Sequence, residues 1–435
     1  MKRIILKINT IIVLIWLMIG LISCDSDIPN PNAATLSEAS TDQSGLIAMS
    51  AGLGIAYTNA LERALLTPAT TAKEVEVTNT FVNLIELAEG GEGLPGSNGN
   101  IIGLWSRFYR VIGTADVIIA NAPVVITDPS VSSAVIGMAH FYKAASLSYL
   151  IGSFEQVPIV TNEDGEAEFS TRAEVLEDAI RLLDEANSLF ATTEPNSSTV
   201  ASFGNDFDLP NMVNAYRARL NLMAGNYQEA IDAANLVDLS SVSYFTFNSE
   251  NQNPVFLNTN LSTTFNYAPI DDFGIENVDP NDGRRDFYLE EIDTTGQFDE
   301  NVSLLKGFYD ALNASIPVYL PGEITLVKAE SFARLGQLPD AIDELNTVLT
   351  KTTDPAGVNA NLPAYTGANT EEAVLEEILK NRNIELFLTG QRFEDSKRFG
   401  QPGPPASTEF RNRNFYPYPD TEVNINPNTP DDPAI

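Results

Sequence analysis

Apolar positions recur at helical spacing along most of this chain, and the recurrence fails in two long stretches. Residues 44 to 66, Leu104 to Ala122 and Ser133 to Leu150 each carry the pattern of a helix with one buried face. Val175, Ala179, Leu183, Ala186 and Phe190 follow one another at steps of 4, 4, 3 and 4, which is a single helix face. Ser170 or Thr171 can cap that helix, with Glu174 three residues after Thr171 as in a capping box. A last long helix is predicted from about Glu371 to Leu388. Residues 67–100 break the pattern with threonines and then Gly90, Gly91, Gly93, Gly96 and Gly99. Residues 239–310 break it with Asn, Thr, Phe and Asp around Pro254, Pro269 and Pro280, and predict an inserted irregular lobe with short strands. Long stretches without periodicity inside a compact chain are commonly functional.

An internal repeat lies on either side of that lobe. Gly225-Asn226-Tyr227-Gln228-Glu229-Ala230-Ile231-Asp232 parallels Gly336-Gln337-Leu338-Pro339-Asp340-Ala341-Ile342-Asp343, and Ala218 and Ala329 precede each glycine by seven residues. A small residue facing a partner helix, a glycine turn and a second helix led by Ala-Ile make a tetratricopeptide-like hairpin, in which the alanines let the helices approach closely. The predicted fold is therefore mainly α: helical hairpins with an irregular inserted lobe and long loops.

The first residues bear on compartment. Lys2, Arg3 and Lys7 precede an apolar run from Ile11 to Leu21, too short for a membrane span of about 20 residues, and then Leu21-Ile22-Ser23-Cys24. This has the form of a lipoprotein signal peptide over 1–23 with a lipobox, and Cys24 is the single cysteine. Acylation of Cys24 would hold the chain to a membrane. Residues 24–43, with Pro29 and Pro31, read as a tether, and 44–435 as one domain.

Charge and missing chemistry narrow the function. With 59 acidic against 25 basic side chains, net −34, the chain offers no basic patch for nucleic acid and disfavours polyanionic ligands. His140 is the only histidine, so a His/Cys metal set cannot form, and no G-x-S-x-G elbow or phosphate loop is present. No cofactor is expected. Asn277 to Gly283 looks like the start of a calcium loop, but Asp282 stands where glycine is needed and Tyr288 where glutamate is. A pair of catalytic carboxylates, as in a glycosidase, is the enzymatic route left open, and nothing in the sequence singles one out.

Five ordered segments then resemble the SusD/RagB family. They are Leu104-Trp105-Ser106-Arg107-Phe108-Tyr109 with Ala120-Asn121; Gly152-Ser153-Phe154-Glu155-Gln156-Val157-Pro158-Ile159; the repeat; Asn381 to Gly400, including Arg382, Glu385, Leu386, Gly390, Arg392, Asp395 and Arg398; and Tyr416-Pro417-Tyr418-Pro419 with Glu422 and Asn426-Pro427. The C-terminal motif falls within about 371–435. Family acids give way to Asn381 and Thr389, and a leucine to Ser396. Arg382, Glu385, Arg392 and Asp395 are spaced for i,i+3 ion pairs, so the motif reads as packing. Asp25-Ser26-Asp27 is similar to the acidic tag that follows the lipidated cysteine of surface-exported lipoproteins.

The resemblance implies a non-catalytic, cell-surface, outer-membrane lipoprotein that binds a nutrient, most often a glycan, and passes it to a SusC-like TonB-dependent transporter. Peptide cargo, and a tetratricopeptide-type protein adaptor, are the alternatives. It also implies ligand loops outside the helical repeats, in 67–100 and 239–310. Flat rings, planar amides and guanidinium groups suit sugars, so the expected ligand contacts are Asn79, Phe81, Asn83, Phe265, Tyr267, Phe273 and Arg284.

Overall fold

The computed structural model describes residues 36–161, 165–204, 206–262 and 264–435. The apolar leader, Cys24 and the tether up to residue 35 lie outside the described residues. Eleven helices matter here: α1 Gln43–Thr71, α2 Val82–Glu89, α3 Gly99–Val125, α4 Pro129–Ser153, α5 Arg172–Thr192, α6 Leu209–Ala224, α7 Tyr227–Ala234, α8 Pro321–Arg334, α9 Leu338–Leu349, α10 Glu371–Glu385 and α11 Arg392–Arg398. Short strands are β1 Val75–Val77, β2 Gln156–Pro158, β3 Phe169–Thr171, β4 Tyr244–Phe245, β5 Tyr267–Pro269, β6 Leu289–Thr295, β7 Asn301–Leu305 and β8 Ile316–Pro317.

The helices form where the periodicity places them, and their caps explain their limits. The Thr171 hydroxyl and the Glu174 side chain exchange hydrogen bonds with each other's backbone amides at the start of α5, which completes the capping box. Asp128 caps α4, with Pro129 in its first turn. Leu104, Phe108, Val111, Ile112, Ala115 and Ile118 line the buried face of α3, which packs between α1 and α4. Burying one such Leu or Phe stabilises the fold by about 1.5–3 kcal/mol.

The repeat becomes two helical hairpins, α6–α7 and α8–α9. Each turns at its glycine in the left-handed region, Gly225 at φ 80° and Gly336 at φ 75°, where a side chain would be strained. Ala218 and Ala329 are fully buried at the helix contacts. Trp105 of α3 is buried too, with its ring against Tyr109, Phe154 and Phe169 and its N–H donated to Glu422. Three family-like segments distant in sequence thus meet around one aromatic cluster, which Tyr418 also joins. His140 is buried in α4, 3.9 Å from Glu185.

Two expectations change. Residues 67–100 are more ordered than their composition implies: α1 runs to Thr71, and β1 and α2 follow. The C-terminal motif does form ion pairs, but mostly with distant partners. Arg382 of α10 grips Asp395 of α11 at 2.7 Å, and Glu385 meets Arg284 at 3.2 Å and Lys351 at 2.5 Å. Arg398 with Asp395, at 2.6 Å, and Lys397 with Glu394, at 3.9 Å, keep the i,i+3 geometry within this motif.

Candidate functional site

β1 and β5 pair antiparallel, with Val77 opposite Tyr267, although nearly two hundred residues separate them. Past that pair, both strands run into loops that stay together. The Thr78 amide donates to the Asn266 carbonyl at 3.0 Å, and its hydroxyl to the Phe265 carbonyl at 2.7 Å. A third segment, the tip between β6 and β7, joins them: the Gln297 amide donates to the Val77 carbonyl at 2.9 Å. The tip is fastened from beneath by Glu76, whose carboxylate accepts the Phe298 amide and, at 3.1 Å, the Glu300 amide. Burial pushes the Glu76 carboxyl above its usual range, and those two amides oppose the shift.

These three segments expose what folding usually hides. Phe81 is 55% exposed, Val82 72%, Leu261 61% and Phe298 42%. Clustered apolar exposure of this kind marks a contact surface. Beside it runs a row of side-chain amides. Asn79 donates to Asn266 at 3.3 Å, Asn266 to Asn258 at 3.0 Å, and Asn258 to the Pro254 carbonyl at 3.1 Å. Asn258 then forms part of the wall of a polar cleft of about 470 Å³ between α1, α3 and residues 250–258, lined also by Asn59, Glu62, Arg107, Arg110 and Gln252. Arg107 is held in place by the Asn59 carbonyl at 2.9 Å and Glu62 at 2.8 Å. The cleft falls within the usual size of small-ligand pockets. Rings, amides and guanidinium groups together can stack on a sugar face and serve vicinal hydroxyls as both donors and acceptors.

The expected contacts divide. Asn79 and Phe81 stand on this surface. Phe265 is half-buried beside it. Asn83 is half-buried, and its carbonyl accepts from Asn98 and Asn100 at 2.9 and 3.0 Å, which braces the start of α2. Tyr267, Phe273 and Arg284 are corrected to core residues. Tyr267 is 1% exposed within β5, and the other two have no exposed surface. Phe273 packs edge-on against Phe387 and Tyr288. Arg284 is consumed by Asp282, Glu385 and Asn381. None of the three has a face to offer a ligand. Sequence reasoning missed Phe298, Leu261, Asn258 and Asn266. The turn-like Gly296-Gln297-Phe298-Asp299, an aromatic at a hairpin tip, was the available signal for the first.

A larger groove of about 1310 Å³ lies elsewhere, along α5 and the α6–α7 turn. Its floor is Leu176, Ile180, Leu189 and Met223, and its charged residues Arg181, Arg172 and Asp184 are already in ion pairs, with Glu185 at 2.6 Å, Glu394 at 2.5 Å and Arg217 at 2.6 Å respectively. That is helix-packing chemistry and does not suit a polyol. Among the described residues no cluster of His, Cys, Asp or Glu is set to hold a metal ion.

Residues 309–432 match the SusD family model, and no curated protein matches the chain. Solved structures resemble it closely in fold. A SusD superfamily protein from Bacteroides thetaiotaomicron superposes with a TM-score of 0.72 at 19% identity, covering 90% of this chain and 100% of that one. One from Bacteroides vulgatus gives 0.70 at 18%, covering 89% and 98%. A SusD-like carbohydrate binding protein from Bacteroides fragilis gives 0.64 at 15%, covering 90% and 99%. Residues 309–432 thus carry the SusD family signature, and the chain shares the fold of SusD superfamily structures along nearly its whole length.

Proposed function

We propose that this protein is a non-catalytic, lipid-anchored surface receptor that binds an oligosaccharide and passes it to a TonB-dependent outer-membrane transporter. The observation that carries the reading is the continuity of Phe81, the amide row Asn79–Asn266–Asn258 and the polar cleft. A ring at one end and convergent hydrogen-bonding groups at the other fit an extended chain of sugars. The similarity to a SusD-like carbohydrate binding protein supports glycan over peptide as cargo. The form of the leader and Cys24 supports anchoring at the membrane, and the SusD family signature over 309–432 supports the transporter partnership.

A glycan array probed with the domain from residue 36 onward tests the ligand class. Retention of at least one oligosaccharide class, abolished when Asn258 and Phe81 are both changed to Ala, is the expected result. A silent array alongside binding of peptide mixtures would move the cargo to peptides. Pull-down from native membranes in mild detergent tests the partnership; a β-barrel transporter should be recovered with the wild type and not with Cys24→Ala.

A further inference from the structure

The loops that carry Phe81 and Phe265 are tied to the C-terminal motif by two buried side chains. Glu74, immediately before β1, is 1% exposed. Its Oε1 accepts the Leu388 amide at 3.1 Å, and its Oε2 is buried without a hydrogen-bond partner. Leu388 itself holds a left-handed backbone, φ 54°, which is costly for a leucine. Arg392, at the start of α11, donates to the Phe273 carbonyl and, at 2.9 Å, to the Gly274 carbonyl. Asp272, Phe273 and Gly274 are three consecutive residues with positive φ, separated from the end of β5 by two residues. Gly274 lies so close to Lys73 that a Cβ would sit 2.0 Å from the Lys73 carbonyl oxygen. The strained turn therefore has one anchor on α11 and one on the residue preceding Glu74.

We propose that Glu74 and Arg392 are positioning residues that set the order of the ligand loops from the C-terminal motif. The proposal rests on the reading that these loops hold the ligand. Each side chain fixes the base of one strand of the β1–β5 pair, and both loops extend from the far end of that pair. Loosening either anchor should release Thr78–Val82 and Asn258–Asn266 together.

The Glu74 anchor also carries a proton dependence. Burial raises its carboxyl to about 7, opposed by the Arg392 charge and the Leu388 amide and reinforced by Asp395 of α11. The Tyr309 phenol faces it as well. A carboxyl raised in the closed state prefers its proton there. The closed arrangement is thus most stable below the ordinary value of 4.5, and loses stability as pH rises from 4.5 to about 7.

Hydrogen exchange at the Thr78 and Ile270 amides, which bond across the β1–β5 pair, tests this without a ligand. After correction for intrinsic rates, opening should rise at least about tenfold between pH 5 and pH 7, then level off, since one unit of pKa is a tenfold change. Glu74→Gln should abolish that rise. Arg392→Lys keeps the charge but loses the fork; it should raise opening several-fold at every pH and leave the rise intact. A flat wild-type profile, or a Glu74→Gln variant that keeps the wild-type rise, overturns the proposal. Glycan binding is decided separately by the array, so failure of one reading does not mask failure of the other.

Discussion

The C-terminal motif and the loop cluster invert the ordinary arrangement in opposite senses. From α10 to α11 the chain buries charge: Arg382, Glu385, Arg392 and Asp395 are all at most 8% exposed. In the loops it exposes apolar surface, with Phe81, Val82, Leu261 and Phe298 facing solvent. Each buried charge has partners, so the first inversion is internally compensated. The exposed rings have none, so the second is a cost to the isolated chain that a bound molecule would relieve. The difference separates scaffold from site. A family signature can lie in the scaffold while the proposed ligand surface lies in loops outside it.

The sharpest way to break the comparison is to remove a scaffold charge. Glu385→Ala leaves the buried Arg284 and the half-buried Lys351 without their shared carboxylate. The expected loss is about 3–5 kcal/mol of stability, read as a much earlier denaturant midpoint. A variant within experimental error of wild type would show that this network does not hold the fold together.

Truncating the misassigned rings should cost nearly as much. Tyr267→Ala and Phe273→Ala should each lower stability by about 3–5 kcal/mol, because both are enclosed. A stable variant with weakened binding would return that ring to the ligand site.

Acid should act on the helical scaffold through His140. Burial lowers its imidazole to about 4 from the ordinary 6.5. A base depressed in the folded state contributes fully above pH 6.5 and is lost as pH falls towards 4, worth about 3 kcal/mol at the limit. His140→Gln should flatten that part of the stability profile between pH 6.5 and 4. An unchanged profile would place the acid sensitivity elsewhere.

The smallest effect on stability belongs to the site itself. Phe81→Ala should change unfolding free energy by no more than about 0.5 kcal/mol, as for other exposed positions. Its stacked ring should still account for about 0.5–1.5 kcal/mol of binding.

What was legible in the sequence follows the range of the interactions. Periodicity and capping act within a few residues, so α3, α4 and α5 and the Thr171–Glu174 box could be read directly. The Gly225 and Gly336 turns were readable because a left-handed C-cap selects glycine locally. The inserted lobe over 239–310 was recognisable by its loss of period, and Asn79 and Phe81 by their place in the other irregular stretch, 67–100. Burial of Tyr267, Phe273 and Arg284 was not readable. It depends on β1 meeting β5 across nearly two hundred residues and on Glu385 reaching Arg284 from α10. The amide row was hidden for the same reason, since Asn79 and Asn266 become neighbours only through that pairing.

The most direct measurement is a calorimetric titration of the best array oligosaccharide into wild type and into the Phe81→Ala, Asn258→Ala double variant, with thermal unfolding of both. The double variant should lose binding by at least about tenfold, or 1.4 kcal/mol, while its Tm stays within a few degrees of wild type. Equal affinities in two equally stable proteins would contradict it and place the ligand away from this surface.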